Sequence, residues 1–263
     1  MSSHGSNLRP WGAALAVLLA LAACGDEDGP VTPTPDAGTA PTPDSGTDAG
    51  TPDSGTDAGT PDSGTDAGVR PSDPYADEVV SYVPGEGAGF GQDRLPAIVL
   101  GPPVGVGPDN GSLDVLALGR EGTITLRFTD VGVVDGPGVD LLVFENAFAI
   151  PGGGTYAETG VVAVSEDGTT WHTFPCAAND ADAGYPGCAG VRTIQANPAN
   201  GVSATDPAVA GGDGFDLATV GLARARYVRI TDSGANGYGG TGGGFDLDAV
   251  AVVNGEPLQG TSP

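Results

Sequence analysis

The sequence predicts an all-β fold, an antiparallel β-sandwich of the jelly-roll kind. Three observations predict it. Six segments alternate apolar and polar residues with a period of two. Clusters of Gly, Pro, Asn and Asp separate them. No segment carries the 3.6-residue apolar stripe of a long amphipathic helix. The first strand is read at 113–118, where Asp114 interrupts an apolar run. The clearest is 122–128, where Thr123, Thr125 and Arg127 alternate with Ile124, Leu126 and Phe128. Further strands follow at 139–144, 160–165, 226–230 and 245–253. The turn signals are Asp109-Asn110-Gly111, Asp135-Gly136-Pro137-Gly138, Glu166-Asp167-Gly168 and the glycine run at 237–244. Many short strands joined by such turns read as a sandwich.

This domain spans about 74–257, with a short tail at 258–263. A different kind of sequence precedes it. Residues 1–10 are polar and carry Arg9, and a short apolar run from Ala13 to Ala23 follows. That run has about half the ~20 residues a spanning helix needs. It ends in Leu21-Ala22-Ala23-Cys24, and a short apolar stretch closed by small residues reads as an export signal. Leu-Ala-Ala-Cys resembles the lipobox of bacterial lipoproteins. The resemblance implies that 1–23 is a signal peptide and that Cys24 carries the lipid. Gly25 after it leans toward the outer membrane, by analogy with other bacteria. Removing Cys24 from the count leaves Cys176 and Cys188, which export would place in an oxidising compartment, so the two are expected to form a disulfide.

Residues 24–73 hold the lipidated Cys and a tether of Thr, Pro, Asp, Gly, Ser and Ala. Thr-Pro-Asp-Ser-Gly-Thr-Asp-Ala-Gly occurs three times, at 42–50, 51–59 and 60–68. Residues 25–68 carry ten acids and no base, so the segment is expected to repel itself and stay disordered. A formal charge of −25, with nine Arg and no Lys, argues against nucleic acid and against docking on an anionic membrane through a basic patch.

Two segments resemble discoidin-type (coagulation factor type C) jelly rolls. These are 161–171, a strand, an Asp-Gly turn and Trp171, and 225–230, a late strand. The wider pattern, Asp135 to Asp140 into Val143-Phe144-Glu145-Asn146 and then 243–248, is similar to bacterial cell-surface proteins. The resemblance implies a galactose-binding-like fold, often used for glycan or surface binding. A fold does not fix a function.

Acids beside glycine turns are the candidate metal ligands: Asp135, Asp140, Glu145, Asn146, Asp213, Asp216, Asp246 and Asp248. Ca²⁺ takes six to eight oxygens, which carboxylates and turn carbonyls supply. Strand alternation puts Asp140 with Asn146, and Asp246 with Asp248, on common faces. The echo between 211–217 and 242–247 suggests that two acidic corners meet. The competing reading is that these acids cap turns, face solvent or pair with Arg224, Arg226 and Arg229. Tyr156, Tyr185 and Tyr238 sit in glycine-rich segments and are candidates to stack on sugars, whereas Trp171 and Tyr227 are assigned to core packing. Gly237 to Gly242 matches GxGxxG, but a strand-like segment follows where a dinucleotide fold needs a helix. His172 is the sole His after Cys24, and no Gly-x-Ser-x-Gly elbow occurs. The expected function is therefore a lipid-anchored, non-enzymatic surface module, stabilised by Ca²⁺, that binds a glycan or another envelope component. The alternative is a structural or adhesion module without a small ligand, and a hydrolase is a distant third.

Overall fold

Alternation along the chain becomes two packed antiparallel sheets in the computed structural model, which describes residues 72–235 and 243–258. Both stretches lie in one compact unit, 65–263. The apolar run, Cys24, the repeats, Tyr238 and the GxGxxG match lie outside the described residues. Among the described residues fourteen strands form, β1 (Glu78–Val83), β2 (Leu116–Ala117), β3 (Thr123–Arg127), β4 (Val131–Val134), β5 (Leu141–Glu145), β6 (Phe148–Ala149), β7 (Thr155–Tyr156), β8 (Gly160–Ser165), β9 (His172–Thr173), β10 (Asp213–Phe215), β11 (Arg224–Ala225), β12 (Tyr227–Asp232), β13 (Asp246–Val252) and β14 (Gly255–Pro257). The only helical turns among the described residues are three short 3₁₀ segments.

One sheet has the order β1-β3-β12-β8-β9 and the other β10-β5-β13-β2. Small sheets β11-β4-β14 and β6-β7 complete the fold. The main core lies between the two large sheets. Ile124, Leu126, Val162, Val164, Val228 and Ile230 from the first meet Leu141, Val143, Phe215, Leu247, Val250 and Val252 from the second.

The two sheets differ in how their outer faces are covered. In β12 burial alternates strictly, because Tyr227, Arg229 and Thr231 face outward. A sheet buried on one face alone reads this way. In β5 and β13 every residue is buried. Their outer face, Leu142, Phe144, Ala249 and Ala251, packs under Ile194, Ala196, Ala204 and Ala210 of the long connection between β9 and β10. That connection, 174–212, holds no named strand, and loops of such length usually carry function. Cys176 and Cys188 form the expected disulfide within it.

The structure shortens the predicted strand 113–118 to β2, because Leu113 is exposed. It moves Trp171 and Tyr227 out of the core. The Arg229 guanidinium lies 3.7 Å above the Trp171 ring, and Arg127 lies 5.7 Å from the Tyr227 ring, on the outward face of the five-stranded sheet. Period-two alternation already put Tyr227 opposite the buried Val228.

Candidate functional site

An acidic group sits at each end of β5. Asp140 precedes the strand, and Glu145 ends it with Asn146 next. Five to six residues of strand separate the ends by roughly 15–20 Å. Asp140 and Asn146, expected on a common face, thus stand at opposite ends of the strand.

At the first end, Asp135, Asp140 and Asp216 each bring an oxygen within 4.8 Å of the others. Asp140 is fully buried. Its Oδ1 accepts from the Gly136 N–H at 2.9 Å and from Asn254 Nδ2 at 2.8 Å, and its Oδ2 accepts from the Leu217 N–H at 2.8 Å. Asp216 accepts from the Ala218 N–H and caps the 3₁₀ turn Leu217–Val220. Asp135 is exposed. Two of these three carboxylates thus tie loops to strands.

At the second end, four elements converge. Glu145 closes β5, Asp246 opens β13 beside it, Glu158 lies two residues ahead of β8, and Asp213 opens β10. The β13 pairing with β5 is irregular between Leu247 and Ala249. This bulge puts Leu247 in the main core with Val250 and Val252, where plain alternation would place it with Ala249. Gly244 has φ 80°, and a Cβ there would stand 2.6 Å from the Gly119 carbonyl carbon. Glycine alone fits, and the Gly244 N–H donates to Glu158.

Burial dominates the electrostatics of this group. Glu145 is 1% exposed and Glu158 2%. Desolvation, then the charges of Asp246, Glu158 and Asp213, holds the Glu145 carboxyl well above the usual range, against a hydrogen bond from the Asp246 N–H. Desolvation and then Asp246 push Glu158 up to about 8. Desolvation raises Asp246 to about 7, opposed by a hydrogen bond with Asn146. It raises Asp213 to about 6, opposed by the N–H groups of Val191, Arg192 and Gly190. The two echoing corners, Asp213 and Asp246, lie on strands that flank β5 on opposite sides, and the charge of each raises Glu145. Four side-chain oxygens here are buried without a hydrogen-bond partner: Glu145 Oε2, Asn146 Oδ1, Glu158 Oε1 and Asp246 Oδ1.

Asp248 belongs to neither group by its partners. Both its oxygens accept from the Val104 N–H, at 3.1 and 3.2 Å. Burial, then Asp114, pushes it up to about 8. Asp246 bonds instead to Asn146, so the two acids, expected on a common face, serve different partners. Pairing with Arg224, Arg226 or Arg229 is not found either; Arg224 bonds Glu256.

A groove of about 580 Å³ opens beside the disulfide, with Phe174 and Phe215 at its base, Pro175 and Pro186 along it and Arg192 and Asp216 among its polar residues. Asp213 lines it too, and its Oδ2 accepts from the N–H groups of Gly190, Val191 and Arg192. Tyr185, in the disulfide loop, has φ 53°, in the left-handed region. Tyr156 stacks on Phe148, with ring centroids 4.8 Å apart. His172 Nδ1 lies 3.2 Å from the Val220 carbonyl oxygen.

Sequence reasoning missed Glu158 and Asp232. Asp232 is buried and accepts from the N–H groups of Glu121, Gly234 and Phe245. The available signal was position: each acid stands at an end of an apolar strand, where the chain enters or leaves the sandwich. No protein-family model matches this chain, and a search of curated proteins finds no relative.

Proposed function

We propose that this chain is an exported, lipid-anchored surface module that binds rather than catalyses, and that it recognises a glycan or another envelope component. The groove beside the disulfide carries the reading. Pro175 and Pro186 beside an exposed Arg192 and Thr219, over a base of buried Phe174 and Phe215, suit a saccharide. Its C–H faces pack on apolar surface while its hydroxyls bond to a few fixed polar groups. Tyr185, half-buried in the same loop next to Pro186, is the ring proposed to meet it. Leu21-Ala22-Ala23-Cys24 supports lipidation at Cys24, and the acidic repeats support a tether that holds the sandwich off the membrane. The galactose-binding-like jelly roll is an analogy that favours the same use. The contact of His172 with a backbone carbonyl favours a structural use of the one imidazole in the domain.

The full chain on an array of envelope saccharides tests this. Binding that falls at least tenfold in Arg192→Ala and in Tyr185→Ala is expected. Binding to whole envelopes with no saccharide signal would favour the structural or adhesion reading. Turnover of a bound glycan that is lost in His172→Ala would contradict a non-enzymatic module. Loss of lipid labelling in Cys24→Ser checks the anchor.

A further inference from the structure

The groove beside the disulfide does not end at Arg192. A second groove, of about 370 Å³, begins there, and Arg192 stands in the wall of both. The same two chain segments, 190–195 and 211–216, run beneath the pair. They are tied together by the Ile194–Gly211 bridge and by Asp213, whose carboxylate accepts from three successive N–H groups. The two grooves are therefore successive stretches of one surface on a fixed frame. Each has the volume of a small-ligand pocket, about 300–1,000 Å³.

Their charge differs. The groove beside the disulfide has Asp213 and Asp216 in its lining. Among the described residues that line the second groove, Arg192 alone is charged. In a chain of 34 acids and nine bases, such a lining runs against the composition. Asp206, just outside it in sequence, accepts from the Ala208 N–H. Arg192 is exposed, and among the described residues no ion pair and no side-chain hydrogen bond holds its guanidinium. Arg94, Arg127 and Arg224, by contrast, each have a carboxylate. The charge of Arg192 is felt at Asp213, but Asp213 Oδ2 is taken up by the N–H groups. Next to Arg192, Gln195 Nε2 donates to Thr193 Oγ1 at 3.0 Å. This bond fixes the Thr193 hydroxyl and leaves its own proton to donate.

The geometry points to an anionic subsite. The second groove takes the carboxylate or sulfate of one sugar unit, while a neighbouring unit lies in the groove beside the disulfide. The ligand is thus an acidic oligosaccharide of at least two units, not a single neutral sugar. This inference rests on the saccharide reading above and narrows it. The guanidinium fork matches two oxygens of one anion. An exposed ion pair alone contributes little, so the packing of the neighbouring unit must supply the rest of the affinity.

The test is calorimetric titration of the full chain with uronate oligosaccharides, with their methyl esters, which keep the shape and lose the charge, and with sulfated oligosaccharides. The charged chains should bind about tenfold tighter than the esters. Preference for either anion supports the subsite, and the tighter of the two names its group. Arg192→Gln should remove the preference, and Arg192→Lys should restore part of it. Ala208→Trp, at an exposed position, should fill the second groove and remove the preference too, with the melting temperature of the parent chain. Equal binding of acid and ester would overturn the anionic subsite and leave the saccharide reading standing. A preference that survives both Arg192→Gln and Ala208→Trp would overturn its placement. Binding to no saccharide, charged or neutral, would overturn both readings.

Discussion

The two ends of β5 use their carboxylates in opposite ways. At one end Asp140 is buried and both its oxygens meet N–H groups, three in all. At the other, Glu145, Glu158 and Asp246 are buried too, yet each keeps an oxygen that meets no donor. The first end is also the one where acids crowd within 4.8 Å. A carboxylate saturated by backbone donors holds loops in place, and one buried with fewer donors favours its protonated form.

Mutation of each end should separate the two roles. The largest effect belongs to Asp140→Ala, which strands the Gly136 and Leu217 N–H groups and the Asn254 amide. A loss of about 3–5 kcal/mol is expected in denaturant unfolding. A loss under about 1 kcal/mol would break the contrast. Glu145→Gln comes next. It should be more stable than the parent chain at pH 8 and by a smaller margin at pH 6, a difference of about 1 kcal/mol, because the amide does not ionise in a buried place. The smallest effect is that of Asp135→Asn, an exposed side chain, within about 0.5 kcal/mol.

A pH series sharpens the same contrast. Burial raises Glu158 to about 8, Asp246 to about 7, Asp213 to about 6 and Asp248 to about 8. A carboxyl with a raised folded value binds more protons folded than unfolded, so it favours folding below its unfolded value near 4. That contribution is lost as pH rises through about 6 to 8. The melting temperature should fall over that range. A protein that gains stability from pH 6 to 8 would contradict the burial of these groups.

The fold was largely legible in the sequence, the site only in part. Thr123 to Phe128 and Tyr227 to Ile230 alternate because one face of their sheet meets water, so a period of two marks them plainly. The two-residue strands β6, β7, β9 and β11 carry too few residues to show any period. Trp171 was misread because its ring, just ahead of β9, serves as a platform for Arg229 of β12, a contact that composition does not announce. Glu145, Asn146, Asp213 and Asp246 were picked out by their glycine-rich surroundings. Asp135, Asp140, Asp216 and Asp248 were picked out by the same sign, yet Asp140, Asp216 and Asp248 serve backbone N–H groups. Glu158 escaped because no glycine run flags it. Its role depends on β8 lying across from β5, which only the assembled sandwich provides.

The most direct measurement is a ¹³C NMR titration of the Glu158 carboxyl. The account predicts a midpoint raised to about 8 by burial. A midpoint near the unfolded value of about 4 would contradict it.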